Sequence, residues 1–481
     1  MLTKMKNISD KTMCLYRHLN QWSDLKVFEW TNGSPMFGLN SHQIQVIKSP
    51  NDFFNELKRL SMKSKKRITL SSLYIGTGDM ERDLISGIEC TKQKELSLKV
   101  NILVDYNRAT RLTRPDDHNS STKAILQPLT KFGAQIGFYL TPNMSGWRKW
   151  FVWRREKWSE LQSLHHIKCY IFDDNVIISG ANLSDIYFTN RQDRYVLFKD
   201  CPQMADYFDE LIQTISSFSY QLQSDGNFEL HKSWPYNPLN YFQRNQFKSE
   251  AKNRIEKLKN RFRNKINLND LNECKTIAIP LIQMKTLDIS DDQYFTSKLL
   301  SICGSDSEVG LASGYFNLTQ EYKQIILNRN WFKPLKLLMA SESANGFFEG
   351  KGVTAYIPKV YTLLTKTFLN EIKENKCNVY LNEYSRPKWS FHAKGLWLAL
   401  DPMIFLSMIG SPNFGYRSVY RDSEAQVVVI TKDELLKQKL EDEYNSLWKY
   451  SSVVNDMTIK NNLVNVPIWV NIVVKLFKSY F

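Results

Sequence analysis

Residues 166–196 read HIKCYIFDDNVIISGANLSDIYFTNRQDRYV, and residues 391–426 read FHAKGLWLALDPMIFLSMIGSPNFGYRSVYRDSEAQ. Each stretch opens on a histidine and a lysine two apart, His166 with Lys168 and His392 with Lys394. Residues i and i+2 of an extended chain face the same way, so each pair presents an imidazole beside an ammonium. Each stretch then runs through an apolar strand into a glycine turn carrying an asparagine, Gly180 with Asn182 and Gly410 with Asn413. An acid closes each set at the same offset: Asp193 stands eleven residues after Asn182, and Glu424 eleven after Asn413. A lone His-x-Lys carries little information. Two copies with matched turn, amide and acid mark a functional site.

The residue types suit phosphate transfer. A neutral imidazole attacks phosphorus or moves a proton near pH 7, and a lysine ammonium offsets charge on the equatorial oxygens. An asparagine on the turn donates its amide to a further oxygen. An acid on the far ring nitrogen fixes the tautomer and stabilises the imidazolium. His165, next to His166, points to the opposite face and reads as structural.

The flanking sequence repeats in the same order. ITLSSLYIGTGDMERDLI (68–85) resembles VGLASGYFNLTQEYKQII (309–326), each a strand ending in Ser-x-Tyr, a polar turn and a helical pattern. A second strand follows in each (98–105 and 335–341), then a helix (121–132 and 355–375), then a third strand (135–140 and 378–384). Strands alternating with helices predict an α/β fold of two related halves, each a mixed, mostly parallel sheet flanked by helices. The organisation expected is an N-terminal extension (1–42), a first half (43–225), a basic linker (226–275), a second half (276–455) and an apolar C-terminal segment (456–481). Within the linker, Phe247, Ile255, Leu258 and Phe262 recur at helical spacing among basic residues, which reads as a solvated amphipathic helix or as one contacting phosphate or membrane.

At 481 residues the chain holds several domains' worth of core, and 42% hydrophobic content excludes disorder over its length. Sixty-four Lys and Arg against 49 Asp and Glu leave +15, a surface that attracts nucleic acid, anionic membrane or phosphorylated substrates. Seven scattered cysteines without a CxxC pair argue against a disulfide scaffold and fit a reducing compartment. No apolar run reaches the roughly 18–20 residues needed to span a bilayer. The N-terminus, with Lys4, Lys6, Lys11 and Arg17 against Asp10, fits a targeting presequence or an ordinary basic tail.

These motifs match the paired HKD motifs of the phospholipase D superfamily, in which two motifs meet at one site across a pseudo-twofold axis. With segments 72–89, 280–289 and 313–322, they more narrowly resemble the eukaryotic mitochondrial phosphatidylglycerophosphate synthases over roughly residues 45–481. The resemblance implies transfer of a phosphatidyl group from CDP-diacylglycerol to glycerol 3-phosphate, without a cofactor and without nucleic acid as partner. It places the protein in mitochondria, peripheral on the inner membrane. It implies catalytic roles for His166, Lys168, Asp173, His392 and Lys394, phosphate contacts from Asn182 and Asn413, and orienting roles for Asp193 and Glu424. His166 is the implied nucleophile and His392 the general acid and then base, although the sequence leaves these two roles exchangeable. With two imidazoles and two ammonium groups in place, and no carboxylate cluster beside either motif, no catalytic metal is expected. The second copy departs from the pattern: Ala399 stands where Asp173 stands in the first, Asp401 comes two places late, and the glycine comes four residues later.

A lipid substrate requires a membrane-facing surface. GWRKWFVWRREKW (146–158) packs Trp147, Trp150, Trp153 and Trp158 among five basic residues, which reads as an interfacial contact or as a helix with its tryptophans in the core. VPIWVNIVVKLFKSYF (466–481) reads as a docked terminal helix or a second anchor. Arg191, Arg194, Arg417 and Arg421 are candidates for selecting the acceptor by position and charge alone. The rival readings are a phospholipase D-like hydrolase, either lipase or nuclease, and a non-catalytic protein that binds anionic membrane or nucleic acid.

Overall fold

A computed structural model describes residues 22, 29–114, 116–117, 119–146, 163–302, 307–350, 352–464 and 466–477. The first half holds β1 (Ile44–Ile47), β2 (Arg67–Ser71), β3 (Lys99–Asp105), β4 (Gln135–Tyr139), β5 (Cys169–Phe172), β6 (Asn175–Ser179) and β7 (Tyr195–Phe198). The second holds β8 (Thr276–Met284), β9 (Val309–Ser313), β10 (Leu335–Ala340), β11 (Val379–Tyr384), β12 (Gly395–Ala399), β13 (Phe405–Gly410) and β14 (Glu424–Thr431). The first sheet runs β4-β3-β2-β5-β6-β7-β1, and the second runs β11-β10-β9-β12-β13-β14-β8, the same order strand for strand.

Both sheets are mixed, but not mostly parallel as the alternation of strands and helices predicts. Parallel pairing is confined to β2-β3-β4 and β9-β10-β11, and every other neighbouring pair in the two runs is antiparallel. The cause lies in the connections. Helices Asp79–Lys94, Thr122–Thr130, Gln320–Leu327 and Ile357–Glu374 supply the crossovers a parallel pair needs. From β5 and from β12 onward the chain returns through turns and short segments instead.

Strand alternation divides the side chains between three cores. Cys169 and Ile171 of β5 face a central core, whereas Tyr170 and Phe172 face an outer one. Likewise Val427 and Val429 of β14 are central, and Val428 and Ile430 belong to the outer core of the second half. The central core takes strand residues from both sheets, so the two sheets pack face to face across it. A strand covered on both faces reads as a continuous apolar run, as TIAIPLIQM in β8 does.

Two segments read as peripheral join this packing. Helix Arg244–Arg263, in the linker, buries Phe247, Ala251, Ile255, Leu258 and Phe262 in the central core. Its Lys259 is buried and pairs with Asp291 at 2.8 Å. Short strand Phe37–Leu39, in the N-terminal extension, pairs with Thr276–Ala278 of β8 and so adds to the second sheet.

Candidate active site

Each motif histidine lies just before a strand at the middle of its sheet, β5 or β12, and is held by the opposite half. The segment before His166 forms a parallel bridge from His165 to Ser423, and the His166 N–H donates to the Ser423 carbonyl at 2.8 Å. In the second copy, Ser390–Phe391 pairs in parallel with Arg191–Gln192, and the His392 N–H donates to the Gln192 carbonyl at 2.8 Å. The residue after each accepting carbonyl is the acid of the set, Glu424 and Asp193 respectively. The acids are therefore exchanged between halves. Glu424 Oε2 lies 2.8 Å from His166 Nδ1, and Asp193 Oδ2 lies 2.6 Å from His392 Nδ1.

The lysines complete the cluster. Lys168 Nζ donates to the His166 carbonyl at 2.9 Å, and Lys394 Nζ donates to the His392 carbonyl and lies 2.6 Å from its Nδ1. The copies interlock: a Cβ at Gly180 would come within 2.6 Å of Asp193 Oδ1 and 2.8 Å of Lys394 Cδ. Across from it, a Cβ at Gly314 would meet His392 Cα at 2.8 Å. Only glycine leaves room at these two points.

The asparagines are held through their carbonyl oxygens. Asn182 Oδ1 accepts from Ser72 Oγ at 3.5 Å, and Asn413 Oδ1 accepts from the Tyr315 N–H at 3.3 Å. Both contacts come from the repeated Ser-x-Tyr segments, Ser72–Tyr74 and Ser313–Tyr315. Asn182 Nδ2 donates one N–H to Tyr187 Oη at 3.2 Å, and that hydroxyl lies 3.2 Å from His392 Nε2. Tyr187 and Tyr315 stand edge-on to the His392 ring, with centroids at 5.1 and 5.6 Å. Sequence reading missed both tyrosines. The doubled Ser-x-Tyr was a usable signal for Tyr315, and nothing in the motif marked Tyr187.

Burial governs the charges. Burial and Lys168 push His166 well below its ordinary range, and burial and Lys394 do the same to His392. Desolvation also drives Lys394 down to about 7, with the Asp193 and Glu424 carboxylates opposing it. The same burial raises Asp193 to about 6 and Glu424 to about 7. A site of buried cations and hydrogen-bonded carboxylates favours an incoming anion, which supplies the charge that solvent no longer does.

Several sequence candidates lie elsewhere. Asp173, expected among the catalytic residues, sits with φ +52° in the β5–β6 turn, and its carboxylate accepts from the N–H groups of Lys65, Lys66 and Arg67. It is a turn residue because its acceptors are consumed by the backbone entering β2. Asp401 does a like job in the second half, accepting from the Met403 and Ile404 N–H groups at 2.7 Å in a longer β12–β13 turn. That longer turn accounts for Ala399 and for the displaced glycine. His165 is fully buried, with Nε2 2.8 Å from Ser71 Oγ, and burial lowers it to about 3. Arg194 is buried, bonded to both Glu443 oxygens at 2.9 and 2.6 Å, and Arg417 is bonded to both Asp422 oxygens at 3.1 Å. Trp147, Trp150, Trp153 and Trp158 lie outside the described residues.

No family model matches the chain. Among curated proteins it is similar to the mitochondrial CDP-diacylglycerol–glycerol-3-phosphate 3-phosphatidyltransferase of Gallus gallus, at 39% identity over 94% of this chain and 86% of that one. The protein of the same name from Homo sapiens is 36% identical over the same shares. Among solved structures, the phosphatidylserine synthase of Haemophilus influenzae Rd KW20 superposes with a TM-score of 0.68 and 16% identity, covering 94% of this chain and 96% of that one. That likeness speaks for the fold alone, two halves with the same strand order.

Proposed function

The chain belongs to the CDP-diacylglycerol–glycerol-3-phosphate 3-phosphatidyltransferase family, and from that premise we propose how its paired motifs divide the reaction. The protein transfers the phosphatidyl group of CDP-diacylglycerol to glycerol 3-phosphate, giving phosphatidylglycerophosphate and CMP. The observation that carries the mechanism is the exchange of acids, which sets one oriented imidazole from each half on a shared cluster of two lysines.

His166 is the nucleophile. Burial keeps the ring neutral, Glu424 accepts the hydrogen bond from Nδ1–H, and Nε2 carries the free lone pair. Attack on the phosphatidyl phosphorus forms a P–N bond and breaks the P–O bond to CMP, whose oxygen takes a proton from His392. The Asp193 carboxylate at Nδ1 and the anionic substrate stabilise that imidazolium before transfer. In the second step His392 removes the proton of the glycerol 3-phosphate hydroxyl, the new P–O bond forms, and the P–N bond to His166 breaks. Two inversions give net retention at phosphorus. Lys168 and Lys394 neutralise the equatorial oxygens, and the Asn182 and Asn413 amides donate to them.

The substrate is drawn from a membrane surface, and the protein is peripheral, on the mitochondrial inner membrane. Among the described residues no helix is long and apolar enough to cross a membrane. Two surfaces support the peripheral reading. Tyr241 and Phe242 are 61% and 87% exposed, and Tyr241 packs by Gly146, where the tryptophan-rich segment begins. Helix Ile468–Phe477 buries Val470 against Val360 and Leu364 but leaves Ile468 and Ile472 exposed. It is docked by one face, with an apolar face to spare.

The test is to trap the intermediate. Full-length protein given CDP-diacylglycerol without acceptor is expected to gain the mass of a phosphatidyl group on the peptide holding His166, and to exchange labelled CMP into the substrate. His166→Asn is expected to abolish both. Label on the His392 peptide would exchange the two roles, and neither label nor exchange in the wild type would reject the covalent route.

A further inference from the structure

Among the four arginines singled out by position, Arg194 and Arg417 already hold carboxylates, and the Arg421 carbonyl accepts from Ser163 Oγ. Arg191 differs. It occupies the short strand that leads into Asp193, and among the described residues no carboxylate forms an ion pair with it. Its Nε donates to Ser390 Oγ at 3.0 Å, and its guanidinium lies 4.8 Å from the ring centre of Tyr187. The neighbours of its charge are the phenols of Tyr187, Tyr315 and Tyr74. Its Nη2 packs against Gly346, beside the Tyr315 hydroxyl. A Cβ at Gly346 would lie 2.9 Å from Arg191 Nη2 and 2.8 Å from Tyr315 Oη. Tyr187 and Tyr315, the groups that flank the guanidinium, are the two rings that stand against His392.

The geometry points to Arg191 as the binding residue for the phosphomonoester of the acceptor, received by the guanidinium fork and the Tyr315 hydroxyl beside it. This rests on the transfer reaction proposed above, in which His392 takes the proton of the acceptor hydroxyl. Tyr187 stands against both the His392 ring and the Arg191 guanidinium, so an acceptor whose hydroxyl meets His392 carries its phosphate toward Arg191. A planar guanidinium meets a phosphate with two parallel N–H bonds, which a lysine cannot reproduce. A half-buried cation with no ion-paired carboxylate among the described residues is left for a ligand to neutralise. Water and plain alcohols lack the group it would bind, so the same residue discriminates transfer to glycerol 3-phosphate from hydrolysis.

The other source of a phosphate here is the CMP moiety of the donor, and the experiment separates the two. Arg191→Gln, Arg191→Lys and Ser390→Ala are assayed in the full-length protein with CDP-diacylglycerol in mixed micelles. For Arg191→Gln the KM for glycerol 3-phosphate is expected to rise by at least about tenfold, with partial recovery in Arg191→Lys. Ser390→Ala, which frees the guanidinium without removing it, is expected to raise that KM by a smaller factor. The preference for glycerol 3-phosphate over glycerol is expected to fall with the rising KM, while the KM for CDP-diacylglycerol stays within about threefold. An unchanged KM for glycerol 3-phosphate in both Arg191→Gln and Ser390→Ala would overturn the assignment. So would a parallel rise in donor KM and loss of CMP exchange, which would give Arg191 to the donor. Absence of CMP exchange in the wild type would count against the covalent route instead, and the acceptor preference would still be readable.

Discussion

Glu424 Oε2 and His166 Nδ1 lie 2.8 Å apart, although 258 residues separate them in the chain. The mirror contact, Asp193 Oδ2 to His392 Nδ1 at 2.6 Å, spans 199 residues. Each imidazole is thus oriented by the half that does not carry it.

Removing the charge of one acid is expected to silence the histidine across the interface. Asp193→Asn keeps the shape of the contact but no longer stabilises the His392 imidazolium, and kcat is expected to fall by roughly 10²–10⁴-fold with little change in Tm. The pairing is checked by combination. Asp193→Asn added to His392→Ala should cost almost nothing further, because the two act as one unit. Full additivity of the two losses would mean that Asp193 serves some other group.

An alkaline limb of activity is expected from Lys394. Burial brings its ammonium down to about 7, so the group is charged below that pH and neutral above it. A neutral amine does not attract the phosphate oxygens, so kcat/KM for CDP-diacylglycerol is expected to decline tenfold per pH unit above about 7. Lys394→Arg keeps its charge throughout and should displace that limb upward if it retains measurable activity. A wild-type profile that stays flat to pH 9 would contradict this account.

Arg194 fastens the halves together. It is 1% exposed, forked onto Glu443, bonded to the Met408 carbonyl at 2.7 Å and to Ser407 Oγ at 2.9 Å, and its guanidinium stacks 3.9 Å from the Trp397 ring centre. Replacing it with leucine strands the buried Glu443 carboxylate, at a cost of about 3–5 kcal/mol. A fall in Tm of roughly 3–5 °C is expected by scanning calorimetry. Arg194→Leu combined with Glu443→Leu should recover part of that loss, since no charge is then left unpaired.

Much of this was legible in the chain. The repeated strands at 98–105 and 335–341 and at 135–140 and 378–384 emerge as β3 and β10 and as β4 and β11, because buried strands advertise themselves as apolar runs. Sheet direction was not legible, since periodicity identifies a strand without saying whether a crossover or a hairpin precedes it. The eleven-residue spacing picked out Asp193 and Glu424, but spacing is blind to which histidine each would meet. That depends on the short parallel contacts at Arg191–Gln192 and at Ser423. Asp173 was grouped with the catalytic residues because it follows Lys168 at a family interval, and a sequence does not show that three backbone N–H groups consume its oxygens. Arg191 and Arg194, three positions apart, were indistinguishable as cations until Glu443 appeared beside one of them.

The crossed contacts also constrain how the two copies diverge. A turn residue is a private matter, and the second copy has exchanged its aspartate for Ala399 and shifted the task to Asp401. The acids are joint property: a change at Asp193 is felt by His392, and one at Glu424 by His166. A severed half expressed alone would therefore carry a histidine with no partner to aim it.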